Sequence, residues 1–228
     1  MNGIVLVLCA TVTMRTSSYS IILFVLGIAL AAFTTNLAFV IALFNSFMLL
    51  VYSWSLQHKT FFGNFTVAYL TGSTFLFGGA AVGNIQLPLI FGLLAGLVTF
   101  SREIFKDLED IEGDKQLFLK KQSFVKKRIM ERFIVTKEGV ILKYKERAGM
   151  VTAGISLIIA ILLSPIPFLF GLMGSEYLIF VLPADAVFLL CLLKSRHAKK
   201  TEQFGRLSKL IKYGYFLGLL AFVAGILV

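Results

Sequence analysis

The chain alternates long apolar stretches with short polar breaks, a pattern that predicts helices crossing a membrane. No Asp, Glu, Lys or Arg occurs in residues 16–58, and a second uncharged stretch covers residues 60–101. A helix needs about 20 apolar residues to cross the hydrocarbon core of a bilayer, so each stretch is long enough for two spans. Turn-forming residues divide the first stretch at 34–36 and the second at 83–88.

Three further apolar stretches in the second half of the chain are each long enough for one span. The prediction is an all-α, polytopic transmembrane bundle of about seven helices, with residues 1–14 as part of a further one. Two predicted spans cover about residues 19–34 and 37–56, and two more lie in residues 60–101 on either side of the break at 83–88. One lies within 148–175, and the last two cover 177–193 and about 207–228.

The composition supports this prediction, because 58% of the 228 residues are hydrophobic and only 15% are charged. Soluble domains carry about 25% charged residues, so a soluble domain is excluded. The net charge is +10, and the basic residues fall in every second loop. Basic loops stay in the cytoplasm. We therefore expect a multi-pass cell-membrane protein with a cytoplasmic active face that contacts membrane lipids, and no nucleic-acid partner.

An acidic segment follows the fourth predicted span. Its carboxylates recur at spacings of four, three and four residues, so a continuous helix would place them within an arc of about 60°. These residues are Glu103, Asp107, Asp110 and Asp114. Like charges at this spacing repel one another, so the stripe needs compensating positive charge.

Two sources of that charge are open at this point. Arg102 and Lys106 could neutralise the stripe as a solvated helix end. Alternatively, the carboxylates could bind Mg²⁺, which prefers oxygen ligands and is often held by one or two carboxylates together with substrate phosphates. A magnesium-bound diphosphate at a membrane surface indicates an isoprenyl diphosphate, whose hydrocarbon chain can stay among the helices.

Three segments of the chain resemble a known family. Residues 102–115, with the sequence REIFKDLEDIEGDK, are similar to the second Asp-rich motif of the UbiA-type intramembrane prenyltransferases. Residues 45–52 and 63–79 resemble, within that superfamily, the archaeal digeranylgeranylglyceryl phosphate synthases. The resemblance implies an all-helical bundle, usually of nine spans, and Mg²⁺-dependent transfer of a geranylgeranyl group from its diphosphate to geranylgeranylglyceryl phosphate, a lipid-like acceptor, in ether-lipid synthesis.

The resemblance also implies roles for individual residues. Asp110 and Asp114 match the main metal-binding pair of the second motif, with Asp107 as an accessory ligand. Arg102 would lie near the diphosphate or the acceptor phosphate, and Lys106 is a further substrate-binding candidate.

Two more matches fall between the second and third predicted spans. Tyr52 matches the tyrosine that opens a Tyr/Lys motif of the family. The match implies that its side chain contacts the diphosphate or shields a cation with its ring. Alternatively, Tyr52 is one of the tyrosines that commonly lie at the membrane–water interface and has no role in catalysis. Asn64 matches a Gly-Asn pair at the next helix start. The lysine expected after Tyr52 falls at Leu56 or Gln57, so His58 or Lys59 would have to stand in for it, and Lys59 is the substrate-binding candidate.

The chain also departs from the family pattern. No Asn/Asp-rich motif precedes residue 17, so we expect a single prenyltransferase-like domain, residues 1–228, that lacks the family's first two helices. Residues 116–147 are expected to be a divergent cytoplasmic insertion. The alternatives are an aromatic acceptor from a quinone or haem pathway, an inactive truncated homologue, or a membrane transporter. A transporter is considered because Asp185 lies within the sixth predicted span.

Overall fold

A computed structural model of the protein describes residues 19–56, 60–122, 131–198 and 201–226; the side chains of residues 111–122 and 131–146 lie outside this description. Over the described ranges the backbone forms helices and turns and contains no strand. The helices are α1 (Tyr19–Ala32), α2 (Asn36–Val51), α3 (Thr60–Ala81), α4 (Gln86–Gln122), α5 (Glu131–Leu163), α6 (Ile166–Leu169), α7 (Glu176–Ser195) and α8 (Thr201–Ile226).

The predicted all-α membrane bundle is confirmed. Each of the seven predicted spans coincides with one of the helices α1 to α5, α7 and α8. Five of them are long and apolar enough to cross a membrane: α2, α4, α5 with α6, α7 and α8. Helix α1 is apolar but shorter, and α3 is uncharged over its whole length. The protein is therefore an integral membrane protein.

Two helix ends differ from the prediction. The fifth span was expected to continue to the loop at 171–176, but α5 ends at Leu163 and the chain turns into the short α6. Pro165 explains this break, because proline lacks an N–H group and disfavours helix at the residue before it. Helix α4, in contrast, continues past its apolar part to Gln122. The insertion expected at 116–147 is helical up to Gln122 and from Glu131, and residues 123–130 lie outside the described ranges.

Small residues bring α3 and α4 into close contact. The backbones of Gly72 and Gly92 approach so closely that a Cβ atom on either glycine would overlap the carbonyl oxygen of the other. Gly96 lies close to the backbone of Ala68, where an added Cβ atom would be 3.3 Å from the carbonyl oxygen. Such contacts between small residues are a common basis of helix association in membranes. They fix the two helices as an antiparallel pair.

Helix α4 is the centre of the bundle, because it packs against α3, α5 and α8. Its fully buried Phe105 belongs to a core shared with Leu157 of α5, Phe188 of α7 and Ile211 of α8. Large apolar side chains on the outside, such as most of those of α1, are exposed and suit contact with lipid chains.

Candidate active site at the charged end of the bundle

The candidate residues gather at one end of the bundle, where α2 ends, α3 begins and α4 carries residues 102–110; we call this the charged end. Helix α5 reaches it as well, since Gly149 lies against Ile104 and Leu108. Helix α8 arrives there with Gly205, whose Cα faces the carboxylate of Glu109. Sequence reasoning did not identify this contact, although a glycine near a helix start indicates a place where another group approaches closely.

A hydrogen bond between α3 and α4 forms the centre of the candidate site. The side-chain Nδ2 of Asn64 donates to Oδ2 of Asp107 across 2.6 Å. Asn64 is buried, with 7% of its surface exposed, while Asp107 is partly exposed. Because a buried amide and a carboxylate satisfy each other here, the bond fixes the orientation of the Asp107 carboxylate. The structure thus brings together two residues that are 43 positions apart in the sequence.

The basic residues of the segment neutralise one carboxylate of the stripe. The guanidinium of Arg102 contacts the carboxylate of Glu103 directly. Nζ of Lys106 lies 4.0 Å from the other oxygen of Glu103. Among the side chains described, neither Asp107 nor Asp110 has a basic partner within ion-pair distance. Arg102 and Lys106 therefore contact Glu103, whereas among the described side chains Asp107 and Asp110 are left without an ion pair.

The helical stripe itself is present, because residues 103–114 all belong to α4. Asp107 is partly exposed and Asp110 is exposed, one turn apart on this helix, and both Glu103 and Asp110 repel the charge of Asp107. The side chain of Asp114 lies outside the description. Among the described residues, no three His, Cys, Asp or Glu side chains converge on one metal position. Two carboxylates that form no ion pair among the described side chains nevertheless suit Mg²⁺, which is often held by one or two protein carboxylates and completed by phosphate and water.

Tyr52 lies where α2 changes from an α-helix to a π-helical turn, Tyr52–Leu56, which contacts α3. Its side chain is partly exposed. Single π-helical turns are rare and occur often at functional sites. Lys59, the candidate to stand in for the missing lysine of the same motif, lies outside the described residues.

Asn45 is a polar residue of α2 that sequence reasoning did not assign to the site. Its Oδ1 atom is buried and has no hydrogen-bond partner among the described residues. It precedes Tyr52 by seven positions, so both lie on one face of the helix, two turns apart. That spacing is the sequence signal that could have identified it.

Comparison with known proteins identifies the family. The model of the UbiA prenyltransferase family matches residues 13–213. Digeranylgeranylglyceryl phosphate synthase of Methanococcus aeolicus is 39% identical over 210 residues, which cover 91% of this chain and 67% of that protein. The synthase of the same name from Methanopyrus kandleri is 38% identical, over 90% of this chain and 68% of its own length.

A solved structure of a digeranylgeranylglyceryl phosphate synthase has the same fold. It superposes with a TM-score of 0.74 at 32% identity, and the match covers 92% of this chain and 68% of the other. The sequence resemblance and the helical architecture thus agree with the match to the family over most of the chain. This chain belongs to the UbiA prenyltransferase family.

Proposed function

We propose that the chain transfers a geranylgeranyl group from geranylgeranyl diphosphate to geranylgeranylglyceryl phosphate, an ether-forming step of archaeal lipid synthesis. The bond between C1 of the prenyl chain and the diphosphate oxygen breaks, and the diphosphate leaves with the electron pair. The acceptor hydroxyl oxygen then bonds to C1 and gives up its proton. The names of the similar proteins support this substrate pair. The observation that carries the proposal is the Asn64–Asp107 bond beside Asp110, which like Asp107 has no ion-pair partner among the described side chains.

In this proposal the aspartates of α4 hold the metal. Asp107 and Asp110 offer carboxylate oxygens on one helix face, and Asp114 continues the same stripe by its position in α4. A bound Mg²⁺ would offset the charge that develops on the leaving diphosphate. Asn64 orients the Asp107 carboxylate, as hydrogen-bonded neighbours of metal ligands commonly do.

The remaining candidates bind the substrates. Arg102 and Lys106 lie beside the carboxylates and can exchange Glu103 for a phosphate oxygen, since a phosphate offers both charge and hydrogen-bond acceptors. Lys59 is proposed as a third phosphate ligand. Tyr52 offers the face of its ring to the allylic cation, because aromatic rings attract positive charge.

We further propose that the charged end faces the cytoplasm. The end of α7 and the start of α8 lie there too, and their exposed basic side chains add to Arg102 and Lys106. Basic residues are concentrated on the cytoplasmic side of membrane proteins. The exposed basic residues at these two helix ends are Lys194, Arg196, Arg206, Lys209 and Lys212. This face would receive both phosphorylated substrates from the aqueous side.

The test measures ether product and released diphosphate with purified protein in lipid vesicles, with and without Mg²⁺. Asp110→Asn should abolish most product formation. Glu202→Gln is the matched control, because Glu202 is an exposed carboxylate at the start of α8 whose ion pair with Arg206 is at the surface. Equal activity of both variants, or turnover unaffected by chelation of the metal, would exclude the proposed site.

A further inference from the structure

Two contacts set the register between α4 and α8. The hydroxyl of Tyr215 on α8 is hydrogen-bonded to the side chain of Thr99 on α4. Ten residues further along α4, the carboxylate of Glu109 lies against Gly205, which comes ten residues earlier in α8. The two helices are therefore antiparallel and stay in step over this stretch, since each rises by the same amount per residue.

This register places two lysines of α8 at the level of the basic residues of α4. Lys212 is level with Arg102, and Lys209 is level with residue 105, next to Lys106. Both lysines of α8 are exposed, and neither forms an ion pair with a described side chain. Four cationic side chains from two neighbouring helices thus lie at one depth of the bundle.

The lysines of α8 also share a side of the bundle with the acidic stripe. Leu108 of α4 and Ile211 of α8 belong to the same buried core. Lys106 and Lys209 each precede one of these residues by two positions, which corresponds to about 200° around an α-helix. Asp110 follows Leu108 by two positions. All three charged side chains therefore lie on faces turned away from that core.

One exposed stripe of α8 changes from basic to apolar along its length. It consists of Lys209, Lys212, Phe216, Leu219 and Val223, all of which are exposed. Their spacings of three, four, three and four residues keep them within an arc of about 80°. The basic part lies at the charged end, and the apolar part continues into the bilayer. This order matches a lipid with an anionic head group.

The acceptor of the proposed reaction has this form. It carries one hydrocarbon chain and a phosphate monoester, which has about −1.5 to −2 charges at pH 7. Helix α8 has no carboxylate after Glu202, so its stripe suits an anion that lysines hold directly, without a metal. Given the proposed transfer reaction, on which this inference rests, we propose that Lys209 and Lys212 bind the phosphate of the acceptor, while the metal-bound diphosphate lies on α4.

The experiment measures equilibrium binding of tritiated geranylgeranylglyceryl phosphate to the purified chain in phosphatidylcholine nanodiscs, without the diphosphate substrate. The double variant Lys209→Gln/Lys212→Gln should bind at least about tenfold more weakly, because it loses hydrogen bonds between charged groups. Lys209→Arg/Lys212→Arg keeps both charges and should bind about as tightly as the parent chain. Unchanged affinity of the glutamine variant would overturn the proposal.

Two controls locate the binding. Lys194→Gln removes an exposed lysine of α7 at the same end of the bundle. Helix α7 packs on another side of α8, since a Cβ atom on Gly214, five residues and about 140° from Lys209, would overlap the ring of Phe188. This variant should bind normally, and dioleoylphosphatidylglycerol should compete poorly. Equal weakening by Lys194→Gln would indicate a general effect of charge, equal competition would indicate a site for any anionic lipid, and either result would overturn the proposal.

Steady-state kinetics separate the acceptor from the diphosphate substrate. The double glutamine variant should raise the KM for geranylgeranylglyceryl phosphate and leave the KM for geranylgeranyl diphosphate unchanged. The reverse result would assign the lysines to the diphosphate and overturn the proposal. Binding that depends on both lysines in a chain that forms no ether product would contradict the transfer reaction but support the phosphate site.

Discussion

The hydrogen bond from Asn64 to Asp107 gives the sharpest test of the proposed active site. We expect Asn64→Ala to weaken the apparent affinity of the transfer reaction for Mg²⁺. A hydrogen bond to a charged group contributes about 1.5–3 kcal/mol, and each 1.4 kcal/mol corresponds to a factor of ten. The bond is 2.6 Å long and its donor is buried. The expected effect is therefore a roughly 10- to 100-fold increase in the Mg²⁺ concentration needed for half-maximal rate.

The assay titrates Mg²⁺ against the initial rate of diphosphate release at saturating substrates. Thr66→Val is the matched control, because Thr66 is also buried on α3 but its hydroxyl donates within its own helix, to the backbone oxygen of Phe62. Both variants should retain their helical circular dichroism. If Asn64→Ala lowers the maximal rate while its Mg²⁺ dependence stays that of the parent chain, Asn64 does not orient a metal ligand and our account of the site is wrong.

Other predictions concern single side chains. Gly72→Ala should destabilise the bundle by about 1–3 kcal/mol, the usual cost of overpacking, and lower its Tm in detergent, whereas Gly78→Ala should not, since its Cβ has open space. Glu103→Gln should retain most transferase activity, because Glu103 is already paired with basic residues, while Asp110→Asn should lose it in the same product assay. Tyr177→Phe should lower stability to thermal unfolding by about 1 kcal/mol through loss of one hydrogen bond; an unchanged Tm would contradict that role.

The pattern of charges predicts most of the fold because a bilayer tolerates few of them. Uncharged stretches and sided basic loops were sufficient to place seven helices, and the helical continuation through the acidic segment followed from its spacing. The break after α5 was missed because it lies inside an uncharged stretch, residues 148–175. Pro165 was present as a signal, but prolines are tolerated within membrane helices when neighbouring groups satisfy the freed backbone.

The candidate site was only partly predictable for a different reason. The positions of Asp107 and Asp110 follow from one helix, whereas the partner of Asp107 depends on how α3 packs against α4. The sequence around Glu103 also does not indicate that Glu103 contacts both Arg102 and Lys106, because every carboxylate of the stripe has a basic residue nearby in sequence. Choices between such partners are made by tertiary packing, which a single sequence does not contain.

The tight α3–α4 pair has a consequence for how the protein is made. Residues 60–110 form one helical hairpin whose two backbones meet at Gly72 and Gly92, and the Asn64–Asp107 bond lies entirely within it. Helices that enter a bilayer individually must afterwards find one another by lateral diffusion, whereas a hairpin with a short connection is already paired. The central contact of the proposed active site can therefore form during biosynthesis, before α7 and α8 have been translated.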